Sequence, residues 1–428
     1  MLFLNISIAL QKVLYILMAT IYAGLLISLF ARINHKKGKV LPWKWIAIAF
    51  LAKAAAGMIY GYIYSHYYTI SDSWSYFNES LNDYHDLLHN PAKFFTINSG
   101  FNHFTDFFST ADNAFWSNAG ENILIKLLAV LNVFSFGNYY IDVVLFNAFS
   151  FWGLYLIYKV TIQYLHGKDR WVYLLIFFWP SCLFWNSAID KDGLLIFFTG
   201  IFIYSIHNCI LRRKLILHLS FAIISFAGIF LIRNVNAVIF IPAIAGWWIA
   251  SKKYERRLRS FLLVYCFAIV LFFLSGIADS TFNMLQQLAN KQHQFLSLEA
   301  DTRLPLTPLE PDFISYIKVL PESVNHIFFR PYITEISSPF HLIVFIENTI
   351  LIFIVALILI WKRQEILHNL TSPFNLFLIT VSLTGMLLIG YIVPFPGAII
   401  RYKAFYSMLF LVPFISCISK EVTKETKQ

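Results

Sequence analysis

Three consecutive charged residues, Asp190, Lys191 and Asp192, lie between two apolar runs that cover residues 171–185 and 194–206. A charge at the centre of a bilayer costs roughly 2.5–3.5 kcal/mol on insertion scales, so three adjacent charges favour a membrane surface. Two interpretations follow. Either the triplet is a self-neutralised turn in which Asp190 or Asp192 caps the next helix, or it is a polar site on the non-cytoplasmic face that offers both carboxylates for catalysis.

Asp72 is a further candidate, because it lies a few residues beyond an apolar run and begins an amphipathic segment. The neighbouring side chains of Trp74 and Tyr76 can partly desolvate its carboxylate, which can then accept a proton from an attacking hydroxyl. A general base of this kind typically contributes about 10²–10⁴-fold to a rate. The alternative is that Asp72 only caps the helix that follows, a position that Asp favours strongly.

The composition of the chain excludes an ordinary soluble domain. Its 428 residues are 58% hydrophobic and only 13% charged, and 44 of them are Phe, which indicates a polytopic membrane protein. A chain of this length has room for about ten or eleven helices of roughly 20 residues. The net charge of +10 is explained by basic residues next to the apolar runs, so nucleic acid is not an expected partner.

Hydropathy predicts eleven membrane-spanning helices, and basic residues predict their orientation. Lys and Arg concentrate in alternate connections, which are cytoplasmic by the positive-inside rule. The N-terminus is then outside, the C-terminus is cytoplasmic, and the first apolar run is a retained span rather than a signal peptide. The predicted spans lie near residues 9–31, 43–64, 139–162, 171–188, 193–211, 215–232, 237–250, 260–278, 341–361, 373–393 and 404–418. The basic segments are residues 32–44, 166–170, 212–214, 252–259, 362–363 and 420–428.

The non-cytoplasmic face receives the remaining connections of the chain. Helical spacing predicts an amphipathic helix near 76–90 that lies in the membrane interface. Residues 121–134 are expected to form a second interfacial or re-entrant helix, and residues 281–298 are amphipathic. No repeat or linker divides the chain, so residues 1–428 are expected to form one integral membrane domain, an all-α polytopic bundle. The outer connections are two long loops at about 65–138 and 279–340 and three short turns at 186–193, 233–236 and 394–403. Four prolines, Pro305, Pro308, Pro311 and Pro321, are expected to break the second loop into short pieces.

An Asp in the first large outer loop, followed by aromatic residues and an interfacial helix, resembles the GT-C superfamily of membrane glycosyltransferases. The resemblance implies that Asp72 is the base that acts on the acceptor. It also implies that the donor is a sugar linked to polyprenyl phosphate. The chain departs from the superfamily in one respect. GT-C enzymes usually start in the cytoplasm, whereas the distribution of basic residues places this N-terminus outside.

Three further segments resemble uncharacterised polytopic proteins that are encoded with bacterial exopolysaccharide genes. The matches are short, and together they are spread over most of the chain. They imply a place in the bacterial cytoplasmic (inner) membrane and a role in polysaccharide biosynthesis. The segments are Trp179-Pro180-Ser181 to Trp185-x-Ser187-x-x-x-Lys191-Asp192-Gly193, Phe329-Arg330-Pro331-Tyr332-x-x-Glu335 with Glu347 entering the next span, and Gly397-x-x-x-Arg401-Tyr402-Lys403.

Basic residues on the predicted outer face suit a lipid-phosphate substrate. Arg presents a planar fork that matches phosphate oxygens, and several cations around a cavity can stabilise the charge of a leaving group. The alternative is that each cation pairs with a nearby acid, for example Arg330 with Glu335, or Lys191 with Asp190 or Asp192. The predicted phosphate-binding residues are Lys191, Arg233, Arg330, Arg401 and Lys403.

The sequence gives no support for a metal or a cofactor. Its histidines lack the spacing of a catalytic zinc site, and Asp106 and Asp112 do not form a compact pair for a divalent ion. A Walker loop and a dinucleotide fingerprint are also missing from the sequence. Lys53, which lies within the second predicted span beside small residues, is expected to snorkel or to pair with a neighbour.

These observations predict a membrane glycosyltransferase that acts at the outer face. It would transfer a sugar from a polyprenyl-phosphate-linked donor to a hydroxyl on a glycan or lipid acceptor. An O-antigen-type polymerase that joins lipid-linked repeat units is the alternative enzyme. A transporter or flippase of lipid-linked glycans is the alternative from another class. It would require inverted repeats and broken helices near the midplane, and neither is evident in the sequence.

The predicted topology determines which positions an impermeant thiol reagent reaches in intact cells. With the native cysteines replaced, single cysteines near positions 75–120, 190, 285–335 and 398 should be labelled because they lie outside. Cysteines near positions 36, 255 and 424 should be labelled only after lysis, which is the control for reactivity. Labelling of position 36 in intact cells contradicts the topology.

Overall fold

The structure is a computed structural model that describes residues 8–36, 38, 40–68, 71–96, 113–278, 282–298, 303–337, 339–361 and 369–417. Within these ranges the chain forms helices and no strand, which confirms the predicted all-α bundle. Ten of the helices described there are long and apolar enough to cross a membrane, and the protein is a multi-pass integral membrane protein. The predicted cytoplasmic residues 362–363 and 420–428 lie outside the described ranges, as do Asp106 and Asp112.

Seventeen α-helices are described, most of them joined by short connections. In chain order they are α1 (Ile8–Lys36), α2 (Trp43–His66), α3 (Asp72–His89), α4 (Pro91–Thr96), α5 (Asn113–Ser135), α6 (Tyr139–Tyr164), α7 (Asp169–Phe178), α8 (Pro180–Trp185), α9 (Lys191–Ile210), α10 (Leu215–Ile232), α11 (Asn234–Lys252), α12 (Arg257–Leu274), α13 (Met284–Leu296), α14 (Phe313–Phe328), α15 (Pro339–Trp361), α16 (Pro373–Ile392) and α17 (Pro396–Ile415). The ten candidate spans are α1, α2, α6, α9, α10, α11, α12, α15, α16 and α17.

The predicted span near 171–188 is not one continuous helix. It is broken at Trp179 into α7 and α8, which have only 10 and 6 residues. Pro180 is the physical cause, because its ring disfavours the helical conformation in the preceding residue and removes a backbone donor. Trp179 accordingly has φ −59° and ψ 119°, outside the helical region. This break accounts for the difference between eleven predicted spans and ten candidate helices.

Two other predicted boundaries change the account of the site. The short span predicted near 237–250 is a 19-residue helix, α11, with the length of an ordinary span. The last span was predicted to begin at residue 404, but α17 begins at Pro396, a first-turn position where the missing N–H of proline costs nothing. The predicted turn at 394–403 is therefore mostly helix, and Arg401 and Lys403 are helical residues.

Amphipathic helices occupy the predicted interfacial segments. α3 buries Tyr76 and Phe77 and packs mainly on α5, which covers the second predicted segment. α13 covers the third segment and packs on α16. The expectation that prolines would break the rest of this loop is wrong for Pro321, which lies inside the 16-residue helix α14.

The close approach of α6 and α9 sets the position of the charged triplet. A Cβ atom on Gly153 would collide with the carbonyl oxygen of Ile196, and one on Gly200 would collide with the backbone of Gly153. Small residues at such crossings allow two helix backbones to touch, as is common between membrane helices. α9 is therefore held against α6 along its length, and its first turn has little freedom to shift.

Lys53 fixes the turn that leads into α9. Its side chain is buried within the bundle, and Nζ donates to the carbonyl oxygen of Asn186 (2.8 Å) and to Oγ of Ser187 (3.1 Å). From the other side, Nδ2 of Asn147 on α6 donates to the carbonyl oxygen of Ser187 (2.9 Å). Of the two expectations for Lys53, pairing with a neighbour is the one that the structure shows. These bonds provide donors for backbone carbonyls that have no hydrogen-bond partner within α8.

Candidate functional site

Asp190 and Asp192 begin α9. Asp190 is its N-cap residue and accepts a hydrogen bond from the backbone N–H of Lys191 (2.6 Å), so the capping interpretation is confirmed for Asp190. Asp192 lies in the first helical turn, where a negative charge is favoured by the helix dipole. Both side chains are nearly inaccessible, with 2% and 7% of their surfaces exposed. Two buried carboxylates this close together require cationic partners.

Arg401 supplies that positive charge from the second turn of α17. Its Nε donates to Oδ2 of Asp192 (3.0 Å), Nη1 donates to Oδ2 of Asp72 (3.0 Å), and Nη2 donates to Oδ2 of Asp190. All three nitrogen atoms of the guanidinium are therefore in contact with carboxylates. Its pairing with three acids explains how a side chain that is only 14% exposed is accommodated at this position.

Arg233 extends the same group of charges. It is the single non-helical residue between α10 and α11, so the predicted turn at 233–236 is shorter than expected. Nη2 contacts Oδ1 of Asp192 at 2.7 Å, and the guanidinium lies over the ring of Tyr402, 4.4 Å from its centre. Asp192 thus bridges two arginines. We call the group of Asp72, Asp190, Asp192, Arg233 and Arg401 the charge cluster.

Asp72 differs from the other acids of the charge cluster in its exposure. Its side chain is 52% exposed, whereas Asp190 and Asp192 are buried. Asp72 is the first residue of α3, and the preceding Ser71 occupies the N-cap position, so the interpretation of Asp72 as the cap is wrong. Its carboxylate is directed at Arg401 instead. Asp72 is therefore the carboxylate of the cluster that a substrate can reach.

The aromatic neighbours of Asp72 have different positions. Trp74 stacks on the ring of Tyr139 at 3.9 Å and donates to the carbonyl oxygen of Gly61 (2.9 Å), so it fastens α3 to α2 and α6. Tyr76 lies nearer the charges, because its hydroxyl is 3.5 Å from Oε1 of Glu121. Burial raises the pKa of Tyr76, and the neighbouring acids raise it further. The phenol is thus a hydrogen-bond donor rather than a base.

Lys191 lies beside the charge cluster but binds a different acid. Its Nζ contacts Oε1 of Glu121 at 2.8 Å and lies 5.8 Å from the centre of the Tyr76 ring. The predicted pairing of Lys191 with Asp190 or Asp192 is therefore replaced by a pair with Glu121 of α5.

Burial raises the pKa of Asp190 above its ordinary value, although the charge of Arg401 opposes that rise.

Lys291 is a cation near the site that the sequence did not single out. It is a residue of α13, which reaches the charge cluster through the edge of the Phe295 ring against Tyr402 (6.3 Å between ring centres). Burial lowers the pKa of Lys291, and the charges of Lys191 and Arg233 lower it further, whereas the charge of Glu121 opposes this change. Three cations thus share one electrostatic neighbourhood. In the part of the chain that the structure describes, Lys291 has no carboxylate within salt-bridge distance.

Arg330, Glu335 and Lys403 lie in a second polar group rather than in the charge cluster. Arg330 pairs with Oε1 of Glu335 at 3.1 Å, as the structural alternative predicted. Lys403 is buried inside α17, where Nζ donates to the carbonyl oxygen of Ile327 (3.0 Å) and to Oδ1 of Asn348. Lys403 is two positions after Arg401 in the helix, so the two side chains leave α17 on nearly opposite sides. The predicted exposure of Lys403 is wrong for this reason.

Glu347 joins the helix break to α15. Its Oε1 accepts hydrogen bonds from Nε1 of Trp179 (2.8 Å) and from Oγ of Ser181 (2.6 Å), on either side of Pro180. Its Oε2 is buried without a hydrogen-bond partner among the described residues. The sequence feature that could have identified Glu347 is an acid within a predicted span. For Glu121 and Lys291 it is a charged residue within a predicted amphipathic helix.

The charge cluster itself is saturated by guanidinium groups. Across the described ranges, no group of three or more His, Cys, Asp or Glu side chains is arranged to hold a metal ion. The three aspartates of the cluster meet at Arg401, in the place where a cation would otherwise be required. The arrangement offers one accessible carboxylate beside several cations.

Replacement of Arg401 tests whether the ion pairs of the charge cluster stabilise the folded protein. Arg401→Gln should lower the free energy of unfolding by about 3–5 kcal/mol, because two buried carboxylates lose a common partner. The measurement is thermal unfolding of the purified protein in detergent. Lys93→Gln, which removes an exposed pair with Asp86, is the control and should change stability by about 1 kcal/mol or less. Adding Asp190→Asn to Arg401→Gln should recover part of the loss, and equal stability of Arg401→Gln and the wild type contradicts this account.

Comparison with known proteins leaves the family open. The chain matches no family model, and no curated protein and no solved structure is significantly similar to it. The likeness to GT-C glycosyltransferases therefore stays a prediction from the short motifs quoted above. The geometry of the charge cluster and of the cations beside it supplies the physical grounds for a function.

Proposed function

We propose that the protein is a membrane glycosyltransferase that uses a polyprenyl-phosphate-linked sugar donor at the non-cytoplasmic face, in the assembly of a cell-surface polysaccharide. One observation carries the proposal. A half-exposed carboxylate, Asp72, stands at one end of the bundle within a network of ion pairs that also places Arg233 and Lys191 nearby. Glycosyl transfer from a lipid phosphate needs both elements, a base for the acceptor hydroxyl and cations for the leaving phosphate.

Asp72 is the general base in this proposal. Arg401 contacts Oδ2 of the carboxylate, which leaves Oδ1 for the acceptor hydroxyl. The hydroxyl proton passes to Asp72 as the oxygen attacks the anomeric carbon of the donor, and the bond from that carbon to the phosphate oxygen breaks. Asp190 and Asp192 are buried, so we assign them to positioning Arg401 rather than to reacting with substrate.

Lys191, Arg233 and Lys291 bind the donor phosphate in this proposal. They converge from α9, from the α10–α11 junction and from α13, and the repulsion among them favours an anion between them. Charge-assisted hydrogen bonds to phosphate are about twice as strong as neutral ones. Arg330 and Lys403, which were predicted to share this role, are engaged in the second polar group and are left out of it.

Transport of a lipid-linked glycan is the second candidate, and the helix break favours it. Broken helices and buried ionisable residues are typical of transporters, and here α7 and α8 are separated at Trp179 beside the buried acid Glu347. The absence of a broken helix was an argument against transport from the sequence alone, and that argument is wrong. An O-antigen-type polymerase remains the alternative enzyme, because it would use the same outer cations.

Asp72→Asn should reduce polysaccharide output by about a hundredfold or more, the scale expected for loss of a general base. The amide keeps the size of the side chain and still accepts a hydrogen bond from Arg401, so folding should be retained. Output is measured in a strain that lacks the native gene, at matched levels of membrane protein. Asp86→Asn, on the same helix, is the matched control and should leave output unchanged. Wild-type output from Asp72→Asn removes this residue from the mechanism.

The glycan that accumulates in the Asp72→Asn strain separates the candidate functions. A truncated lipid-linked glycan is the result expected for a transferase. Single complete repeat units point to a polymerase instead. Retention of the lipid-linked glycan in the cytoplasmic leaflet points to transport and overturns the proposed chemistry.

Lys291→Gln should weaken donor binding and leave the chemical step nearly intact. The expected result is a rise of roughly tenfold in KM for the polyprenyl-phosphate-linked donor with a smaller change in kcat, because one charge-assisted contact to phosphate is lost. Lys318→Gln on α14, an exposed lysine of the same loop, is the control. An unchanged KM for Lys291→Gln shows that α13 does not contribute to the donor site.

A further inference from the structure

A cavity lies at the end of the bundle away from the charge cluster, and it is independent of the proposed function. α9 begins at the cluster and runs about 30 Å to its last residue, near which this cavity opens. Its volume is about 770 Å³, and it lies between α6, α9 and α10. The residues that line it are Trp152, Leu156, Ile201, Tyr204, Ser205, Asn208, Arg213, Lys214, Leu217, His218 and Phe221.

The cavity is formed by one stripe from each of three helices. α10 contributes positions 217, 218 and 221, Lys214 immediately precedes it, and α9 contributes positions 201, 204, 205 and 208, both at the spacing of one helical face. α6 contributes positions 152 and 156, and one turn further Lys159 lies 5.7 Å from the centre of the Tyr204 ring. Because each wall contributes one stripe of residues, the groove runs parallel to the helix axes. A groove of this shape can hold an extended hydrocarbon chain.

Polarity changes along this groove in one direction. Trp152, Ile201 and Phe221 line the part nearer the middle of the helices, whereas Arg213 and Lys214 lie at the mouth, beyond the end of α9. The helix rise separates Lys214 from Phe221 by roughly 10 Å, so the basic and apolar parts are distinct zones. The walls of the apolar zone are also open at the side, because Leu217 and Phe221 are about half exposed. On a membrane-spanning helix, such an opening faces the acyl chains.

The basic residues at the mouth are available to an anion. Arg213 and Lys214 are exposed, and within the described ranges neither has a carboxylate in salt-bridge contact. Arg212 lies next to them in the same connection. Three cations without a salt-bridge partner among the described residues, next to an apolar groove, match the two parts of a phospholipid. Basic pockets between membrane helices are known to hold anionic lipid headgroups.

We propose that this groove binds one anionic phospholipid of the surrounding bilayer. The headgroup phosphate contacts Arg213 and Lys214, and an acyl chain lies along the stripe formed by Leu217 and Phe221. Binding there would bridge α6, α9 and α10 and so support the helix whose other end carries Asp190 and Asp192. The charge at the mouth selects for an anionic headgroup, and the apolar zone selects for a lipid over a soluble phosphate.

Native mass spectrometry of the purified full-length protein tests the proposal. Phosphatidylglycerol and phosphatidylcholine of equal chain length are titrated separately, and one phosphatidylglycerol should bind in preference to phosphatidylcholine. The double variant Arg213→Gln/Lys214→Gln should weaken that binding by roughly thirtyfold, since each basic residue near a membrane surface contributes about 1 kcal/mol. Leu217→Trp, which fills the groove without a change of charge, should weaken it as well.

A matched control distinguishes the groove from general surface charge. Lys253→Gln/Arg259→Gln removes two exposed charges, one from the connection between α11 and α12 and one from the first turn of α12, at the same end of the bundle, and should change binding by less than about threefold. Equal losses from both double variants overturn the proposal, as does equal binding of the two lipids. Glycerol phosphate is added as the soluble headgroup. If it displaces phosphatidylglycerol at equal concentration, the ligand is a soluble phosphate and the lipid assignment is wrong.

Discussion

The burial of Arg401 against three carboxylates is the constraint on which the site depends. The acids come from the start of α3, from the N-cap position of α9 and from its first turn, and Asp192 also binds Arg233 at the junction of α10 and α11. Removing one partner from such a group leaves a charge in a poorly hydrated place, at a cost of several kcal/mol. These ion pairs therefore hold the ends of five helices together at one end of the bundle. The apolar contacts between the helices do not provide this alignment.

Close helix packing and buried hydrogen bonds hold the charge cluster in place from the interior of the bundle. Gly153 and Gly200 allow α6 and α9 to touch, which fixes the first turn of α9. Lys53 and Asn147 hold the carbonyls of the preceding turn from two different helices. Together these contacts oppose the repulsion between the adjacent acids Asp190 and Asp192. The helix break at Pro180 is part of the same arrangement, because it lets the chain turn before α9 without a long loop.

Much of the fold followed from hydropathy, because it reports directly on membrane burial, and the prediction of which connections share one side of the membrane rested on the basic residues. The same reasoning placed Asp72, Arg233 and Arg401 on one face, and the structure brings them together. Their partners were not predictable, because the residues that pair with Arg401 are 209 to 329 positions away in the chain. Arg401 was expected to bind phosphate, whereas its contacts are with aspartates.

The other wrong or missing predictions have causes in the local sequence. Lys403 was placed in an exposed turn because the last span was predicted to begin at residue 404. The helix begins instead at Pro396, and Lys403 is turned into the bundle. The broken helix was hidden because residues 171–188 are apolar throughout except at their end, so hydropathy averaged over Pro180. Lys291 was missed because a single lysine in a polar amphipathic segment has no distinguishing pattern without its spatial neighbours.

The distribution of charge suggests how a substrate would be oriented at this site. The cluster contains three acids and two arginines, so it carries one excess negative charge, and that charge is exposed at Asp72. Lys191 and Lys291 stand on the side toward α5 and α13. In the proposed reaction, an anionic donor is repelled by the carboxylate of Asp72 and attracted by the two lysines and by Arg233. Its phosphate would therefore settle near the lysines, and the neutral hydroxyl of the acceptor would take the place beside Asp72, which is the order that transfer to that hydroxyl requires.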